Sequence, residues 1–379
     1  MKTRKGPHSP FSLCLALILL LILTACKTAP SRVETTDSIS YEPLKEDGWW
    51  RISTPAEQGL DPKIVAKAYR EARNIKTIYS LLIVKNGYLV AEKYFNGKQI
   101  DETNNVASVT KSYISALVGI ALAEGYITSL DQKMMDYFPE YAGPDLDQGK
   151  YEITIRQLLM MRAGYPYDST SAYYAQLSRS GNFMRFVVGQ YPLSNPPGLE
   201  WNYSSASAHI LSGILTKAIG MPLVKFATKY LFDPLDIEIR TWERDPQGYY
   251  MGGGDMAYTS RDMAKYGYLY LSNGAFDGKQ VIPAEWIDES LQSYSSTNYK
   301  DLGTFKDIKY GYLWWSADVG KYKVNFAWGH GGQYIVIVPE LNLVVVSTAN
   351  PFLGDFSDEA WKMEKSIMDL IGRLISNIR

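Results

Sequence analysis

A serine and a lysine three residues apart are the first side chains in this sequence whose types and spacing suggest chemistry. Ser108 and Lys111 lie in "NNVASVTKSYISALVGIALAEG", where apolar residues recur every three or four positions, as on the buried face of a helix. Residues three apart in a helix are neighbours, so the two side chains are expected to lie side by side. A lysine removed from water has a lowered pKa and can accept the proton of a serine hydroxyl. The alternative is a lysine that extends along an apolar surface to reach solvent.

Two later stretches carry further polar residues at positions suited to a site. In "PPGLEWNYSSASAHIL", Tyr203 and Ser205 lie where a Pro/Gly loop leads into another helix. In "FAWGHGGQYIVIV", His330 is predicted to begin a strand, and Gly331 and Gly332 would let a ligand approach the backbone. The alternatives are an ordinary buried or surface tyrosine and an incidental histidine in a hairpin turn.

Together the three stretches resemble the motifs of the serine β-lactamase and penicillin-binding-protein superfamily. The patterns Ser-x-x-Lys, Tyr-x-Ser and His-x-Gly occur in that family's order, and their separations are similar to those of the class C branch. The sequence from roughly residue 50 to 375 looks like the class C-related hydrolases, which include nylon-oligomer hydrolases and carboxylesterases. This resemblance implies a hydrolase that forms an acyl-enzyme and needs no cofactor.

The resemblance also implies a role for each residue. Ser108 would be the nucleophile, and Lys111 would accept its proton or hold it deprotonated. Tyr203 would share the work of the base and protonate the leaving group, close enough to Lys111 for each to lower the other's pKa. The backbone N–H groups of Ser108 and Gln333 would form the oxyanion hole, and His330 would line the site from the strand edge.

Two positions depart from the class C β-lactamases. Where those enzymes have an asparagine two residues after the tyrosine, this chain has Ser205, whose hydroxyl cannot offer both an amide donor and an amide acceptor. Where they have a lysine, this chain has His330, and a histidine is largely neutral near pH 7 and holds a substrate carboxylate less firmly. We therefore expect inefficient hydrolysis of β-lactams and a preference for an ester, or for an amide with little negative charge.

The elements that must position these residues predict an α+β fold. "IYSLLIVKNGYLVAEKYFNG" indicates two antiparallel strands joined at Asn86 and Gly87. Residues 104–245 have a mostly helical pattern, and strands return in "KVNFAWGHGGQYIVIVPELNLVVVSTAN" before a closing helix. This order fits an antiparallel sheet built from both chain ends, flanked by helices, with an inserted and mostly helical subdomain at about residues 104–245.

Several aromatic residues near these motifs are ambiguous. The tyrosines of "GYPYDSTSAYY" are predicted to be surface side chains of a tyrosine-rich protein, with the wall of a substrate cleft as the alternative. They are Tyr165, Tyr167, Tyr173 and Tyr174. Trp314 and Trp315 fit a core or a cleft wall equally well.

Composition argues against several other classes of protein. The 379 residues carry a formal net charge of -1, which gives no reason to expect binding to nucleic acid. The two cysteines are Cys14 and Cys26, and the histidines beyond the N-terminal segment are His209 and His330, too few for a Cys/His zinc site. No EF-hand or Walker pattern occurs. We therefore expect no metal and no cofactor.

The first 25 residues have the features of a bacterial signal peptide. Basic residues precede the apolar run 11–23, and "LTAC" resembles a lipobox, which implies cleavage before Cys26 and a lipid on its sulfur. Residues 26–48 lack periodicity and are predicted to be a tether, and residues 49–379 the catalytic domain. The expected location is the bacterial cell envelope, outside the cytoplasm and lipid-anchored to a membrane. An uncleaved signal anchor is the alternative.

The sequence therefore predicts a serine hydrolase acting on a small ester or amide. A DD-peptidase acting on cell-wall peptides is the first alternative, because the envelope location would suit it. A non-catalytic, surface-anchored binding protein with the same fold is the second.

Overall fold

Residues 39–352 and 357–379 are described by a computed structural model of the chain. In these residues the strands, in chain order, are β1 (Arg51–Ile52), β2 (Ile78–Lys85), β3 (Tyr88–Tyr94), β4 (Asn104–Asn105), β5 (Thr241–Trp242), β6 (Met256–Tyr258), β7 (Ala275–Phe276), β8 (Lys279–Gln280), β9 (Ser295–Ser296), β10 (Asp301–Leu302), β11 (Phe305–Tyr310), β12 (Trp315–Val319), β13 (Tyr322–Gly329), β14 (Gln333–Val338) and β15 (Leu343–Ala349). The α-helices are α1 (Pro62–Arg73), α2 (Thr110–Ala123), α3 (Met134–Tyr137), α4 (Ile155–Leu159), α5 (Ser171–Ser180), α6 (Ser205–Ile219), α7 (Leu223–Ala227), α8 (Ser260–Leu271), α9 (Ala284–Leu291) and α10 (Asp358–Ser376). Cys26 and the predicted signal peptide lie outside the described residues.

The main sheet joins strands from both ends of the chain. Its order is β1-β3-β2-β15-β14-β13-β12-β11-β10, and β9 also pairs with β11. Strand β1 is parallel to β3, and the other neighbours are antiparallel. The pairing of β2 with β15 brings the early and late strands together. The predicted α+β fold, with an antiparallel sheet built from both chain ends, is confirmed.

The hairpin between β2 and β3 forms where the sequence places it. Asn86 and Gly87 have φ values of 54° and 80°, as a tight turn with two left-handed residues requires. Asparagine and glycine tolerate that conformation better than other residues, which fixes the register of the two strands.

Helices cover both faces of the sheet. On β14, Ile335 faces Gly267 of α8, while the hydroxyl of Tyr334 donates to the carbonyl of Glu364 on α10. Successive strand residues point to opposite faces, so α8 and α10 lie on opposite sides of the sheet. Helix α1 packs beside α10.

Helices α2 to α7 lie between β4 and β5, and α6 contacts α2, α3, α4 and α7. Most residues of α2 and α6 are buried, which accounts for their apolar composition.

In the described part of the chain no single helix is both long and apolar enough to cross a membrane. The bent pair Ser205–Ile219 and Leu223–Leu235, with an angle of 81°, meets that length and composition only when taken together.

The predicted tether extends less far than expected. Residues 39–48, which the sequence assigns to it, contact the folded domain. Arg261 binds the Asp47 carboxylate at 2.8 Å and the carbonyl of Lys45 at 2.8 Å, and Tyr41 stacks on Tyr69. These polar contacts have no periodicity, so the sequence pattern does not reveal them.

Candidate active site

A cavity of about 520 Å³ lies where the turn before α2 and the first turns of α6 and α10 approach β12 and β13. Ser108, Tyr203, Ser205 and His330 all line it. The residues of the three sequence patterns, which are far apart along the chain, therefore meet at one place.

Ser108 lies in a short 3-10 turn, Ala107–Val109, that leads directly into α2. Ala107 has a φ of 47°, a left-handed conformation that is uncommon for a residue with a side chain. Asn105 stabilises this turn, because its side-chain oxygen accepts the backbone N–H of Ala107 at 2.7 Å. The turn orients the hydroxyl of Ser108 toward the cavity and toward Lys111.

Lys111 is enclosed in the protein, with 1% of its surface exposed. Its Nζ lies 2.9 Å from Oγ of Ser108, 2.6 Å from the carbonyl oxygen of Gly253 and 3.3 Å from Oγ of Ser205. Burial lowers the pKa of Lys111 to about 8, although the carboxylate of Asp168 partly opposes this shift. The predicted pairing of a serine with a desolvated lysine is thus present in the structure.

Tyr203 lies against both residues. Its ring is 4.8 Å from Nζ of Lys111 and stacks on Trp315 at 5.4 Å, and its hydroxyl interacts with that of Ser108. Burial raises the pKa of Tyr203 well above its usual value. The predicted mutual lowering of pKa is therefore wrong: the Lys111 shift comes from burial, and the same burial keeps Tyr203 protonated.

Asp168, which no sequence pattern indicates, holds the start of α6 in place. Its carboxylate accepts the backbone N–H groups of Ser205 at 2.6 Å and Ala206 at 2.9 Å, and the hydroxyl of Ser204 at 2.9 Å. These bonds satisfy N–H groups that the first turn of a helix leaves without partners. Because Tyr203 directly precedes this turn, Asp168 fixes the positions of Tyr203 and Ser205 relative to Lys111.

His330 is placed by a buried carboxylate on α10. Its Nδ1 lies 3.2 Å from Oε2 of Glu364, which also accepts the backbone N–H of Gly331 at 2.9 Å. The other oxygen of Glu364 accepts the indole N–H of Trp328. Glu364 thus joins the end of β13 to the turn that follows it beside the cavity, and nothing in the local sequence indicates it.

Residues 330–332 form the turn between β13 and β14, so the prediction that His330 begins a strand is wrong. The alternative is right about the hairpin turn but wrong in treating the histidine as incidental, because His330 lines the cavity. A side chain at Gly331 would clash with the carbonyl of Asn350, and one at Gly332 with Ile367. These glycines permit tight packing of the turn and are not among the residues lining the cavity.

Gln333 begins β14, and its side chain is buried away from the cavity lining. The side-chain amide donates to the carbonyl of Ala349 at 2.8 Å and accepts its N–H at 3.0 Å. This side chain therefore closes the end of the β14 and β15 pair. The role of the backbone N–H of Gln333 in an oxyanion hole stays a prediction.

Aromatic side chains form much of the cavity wall. Tyr167, Tyr173 and Tyr174 line it, and Tyr165 is buried in the core beneath. The surface prediction is thus wrong for Tyr165 and Tyr173, which are buried. Tyr167 and Tyr174 are exposed and also line the cavity, as the cleft-wall alternative predicts. Trp315 lines the cavity, and Trp314 is fully buried.

No group of three or more His, Cys, Asp or Glu side chains among residues 39–352 and 357–379 is placed to hold a metal ion.

The sequence of residues 66–365 matches the family described as Beta-lactamase. The 6-aminohexanoate-dimer hydrolase of Paenarthrobacter ureafaciens is 25% identical over 288 residues, which cover 72% of this chain and 72% of that protein. A solved Bacillus anthracis structure assigned to the 6-aminohexanoate-dimer hydrolases has a TM-score of 0.66 at 22% identity, and the match covers 82% of both chains. EstCE1, a hydrolase with promiscuous acyltransferase activity, has a TM-score of 0.63 at 17% identity, over 83% of this chain and 98% of that one.

The two structural similarities agree on the fold, and the family match spans well over half of the sequence. This chain therefore belongs to the beta-lactamase family, a family of hydrolases that share the fold of β-lactamases and penicillin-binding proteins.

Proposed function

We propose that this protein is a serine hydrolase that forms an acyl-enzyme at Ser108 on a small ester or amide. The observation that carries this proposal is the distance of 2.9 Å between Nζ of Lys111 and Oγ of Ser108, with the lysine buried and its pKa lowered to about 8. At pH 7, about one-tenth of such a lysine is neutral and able to accept a proton.

In the first step, Nζ of Lys111 takes the proton of Ser108 while Oγ attacks the substrate carbonyl carbon. The positive end of α2 favours the developing charge on the serine oxygen. The backbone N–H groups of Ser108 and Gln333 would stabilise the oxyanion, a contribution that is typically several kcal/mol for each donor.

In the second step, the bond to the leaving group breaks and that group needs a proton. Tyr203 is suited to donate it, because its pKa is raised and its hydroxyl interacts with that of Ser108. The proton held by Lys111 then restores the phenol. Water deacylates Ser108 by the same route in reverse.

The wall of the cavity and the relatives support the proposed substrate class. Tyr299, Trp315, Trp328 and Trp361 line it with ring centroids 5.1 to 6.1 Å apart, which favours an apolar part of the substrate. The name 6-aminohexanoate-dimer hydrolase describes cleavage of a dimer of an amino acid, and such a dimer is joined by an amide.

Intact mass of the full-length protein tests the proposal after incubation with a fluorophosphonate and, separately, with benzylpenicillin. Ser108→Ala is the control. An adduct that requires Ser108 supports the hydrolase. A penicillin adduct that persists would favour the DD-peptidase, and no adduct from folded protein would leave the non-catalytic binding protein.

We also propose that the chain is a lipoprotein of the cell envelope, modified on Cys26. The support is the lipobox-like "LTAC" after a basic and apolar N-terminal segment. Incorporation of an alkyne-bearing palmitate into the expressed protein, and its loss in Cys26→Ser, tests this. Incorporation that persists in Cys26→Ser would reject it.

A further inference from the structure

His209 and Asp245 form a buried pair that has no part in the reaction described above. Nε2 of His209 lies 3.1 Å from Oδ2 of Asp245, and 2% and 5% of the two residues are exposed. The other oxygen of Asp245 accepts the backbone N–H groups of Gln247 and Tyr249, both at 2.9 Å. Asp245 thus both shapes a tight turn and binds α6.

This pair attaches the loop of residues 245–255 to α6. The hydroxyl of Ser212, also on α6, donates to the carbonyl of Tyr250 at 2.5 Å. A side chain at Gly252 would clash with the carbonyl of Ala208, and one at Gly253 would lie 3.1 Å from Cβ of Ser205. The backbone of the loop therefore lies directly on the helix, at a distance that only glycine permits.

The same loop presents a hydrogen-bond acceptor to the buried lysine. The carbonyl oxygen of Gly253 lies 2.6 Å from Nζ of Lys111, closer than Ser108 or Ser205. A carbonyl acceptor stabilises the protonated amine more than the neutral amine. The other charged groups that act on Lys111 are the carboxylates of Asp168 and Asp255, and the ring of Tyr203 lies over its Nζ.

We propose that His209 and Asp245 are positioning residues that hold the carbonyl of Gly253 against Lys111 and so tune the basicity of that lysine. The inference rests on the proposed role of Lys111 as the base. The contact between the carbonyl of Gly253 and Nζ of Lys111 does not depend on that role. His209 acts through the loop and need not touch the substrate, although its side chain forms part of the cavity wall.

Two substitutions displace the loop by independent means. His209→Leu removes the donor to Asp245 while keeping a similar volume, and His209→Gln retains a donor. Gly252→Ala pushes the loop off α6, because its methyl would meet the carbonyl of Ala208 and Cα of His209, and it leaves the side chain of His209 unchanged. Tyr69→Phe is the matched control, because it removes a buried hydroxyl that donates to Leu81 at 2.9 Å on another part of the fold.

The measurement is an NMR titration with pH of the side-chain ¹³Cε resonance of Lys111, in full-length protein that carries ¹³C-labelled lysine. The resonance is assigned by its absence from the spectrum of Lys111→Met. We expect the midpoint to fall by about half to one pH unit in His209→Leu and in Gly252→Ala. It should fall less in His209→Gln and not at all in Tyr69→Phe.

An unchanged or raised midpoint in the loop variants overturns the proposal, and Gly252→Ala decides alone if His209→Leu does not fold. The titration needs no turnover, so a negative result for the positioning role of His209 can be told apart from a negative result for the hydrolase. The hydrolase is tested separately by whether Ser108 forms an adduct. Absence of that adduct would reject the hydrolase without bearing on the contact between Gly253 and Lys111.

Discussion

Nζ of Lys111 and Oγ of Ser108 lie 2.9 Å apart in a site where the lysine is almost completely buried. The chain contains a second lysine in a similar environment. Burial lowers the pKa of Lys150 to about 8, and its Nζ donates to the carbonyl of Val188 at 2.8 Å and lies 5.8 Å from the ring of Tyr165, whereas Nζ of Lys111 contacts Ser108. A buried lysine is therefore not sufficient for the proposed chemistry, and position relative to the serine must decide.

Lys111→Met should slow labelling of Ser108 by a fluorophosphonate by about a thousandfold, within the range that general bases contribute. Lys150→Met should label at the rate of the unsubstituted protein. Intact mass at a series of times gives both rates. Comparable rates in the two variants would show that Lys111 is not the base.

The rate of Ser108 labelling should rise with pH, with a midpoint near 8, because only neutral Lys111 accepts the serine proton. Above this midpoint the rate should stay level, since burial raises the pKa of Tyr203 well above its usual value. A rate that falls again between pH 8 and 10 would instead indicate that protonated Lys111 or another acid is required. The control is the pH dependence of fluorophosphonate hydrolysis without protein.

The same lowered pKa makes Lys111 unfavourable for folding at neutral pH. The folded protein binds fewer protons than the unfolded chain between about pH 8 and the usual lysine value of 10.5, so the stability cost is fully present below pH 8 and declines as pH rises toward 10.5. Lys111→Met should therefore increase the free energy of unfolding at pH 7, by on the order of 3 kcal/mol at most, and much less near pH 10. Urea unfolding at the two pH values tests this, and an equal gain at both would contradict it.

The sequence predicted the parts of the fold that depend on local pattern. The Asn86–Gly87 turn, the strands on either side of it and the closing helix α10 all follow from periodicity and turn chemistry. The neighbours Ser108 and Lys111 follow from helical spacing. Their meeting with Tyr203 and His330 was expected only from the resemblance, since no local rule places residues this far apart in contact.

What the sequence did not predict depends on contacts between distant segments. Asp168 accepts three hydrogen bonds from residues 204–206, and Glu364 binds His330 from the last helix. Neither carboxylate belongs to a recognisable pattern. The error over the pKa of Tyr203 has a similar cause, because the resemblance implies that Tyr203 lies close to Lys111 but does not reveal the burial that dominates its pKa.

Asp168→Asn should weaken both the fold and the site. All three partners of Asp168 are donors, so an amide nitrogen in place of one oxygen would face a donor and leave a buried group unsatisfied, at a cost of about 1–3 kcal/mol. The start of α6 would move, and labelling of Ser108 should slow by about tenfold or more. Denaturant unfolding and labelling rates measure the two effects.

Asp262→Asn provides the control for that variant. Asp262 accepts the hydroxyl of Thr259 at 2.7 Å in a capping box at the start of α8, and it is not among the cavity-lining residues. It should lower stability without slowing the labelling. If Asp168→Asn labels as fast as Asp262→Asn, then Asp168 has only a structural role.

The pairing of His330 with Glu364 predicts how the protein should respond when a lysine replaces the histidine of the His-x-Gly pattern. A lysine at position 330 would be expected to bind a β-lactam carboxylate, but Glu364 lies where it would neutralise the new charge. His330→Lys alone should therefore leave the rate of benzylpenicillin acylation within about twofold of the unsubstituted protein. The double variant His330→Lys, Glu364→Gln should raise it about tenfold, equivalent to about 1.4 kcal/mol.

Intact mass over time gives these penicillin rates, with Glu364→Gln alone as the control for loss of the carboxylate. The gain should stay modest even in the double variant, because Ser205 still stands where the class C β-lactamases have an amide. A large gain from His330→Lys alone would mean that Glu364 does not control the charge at this edge of the cavity. The expected preference for substrates with little negative charge would then need another explanation.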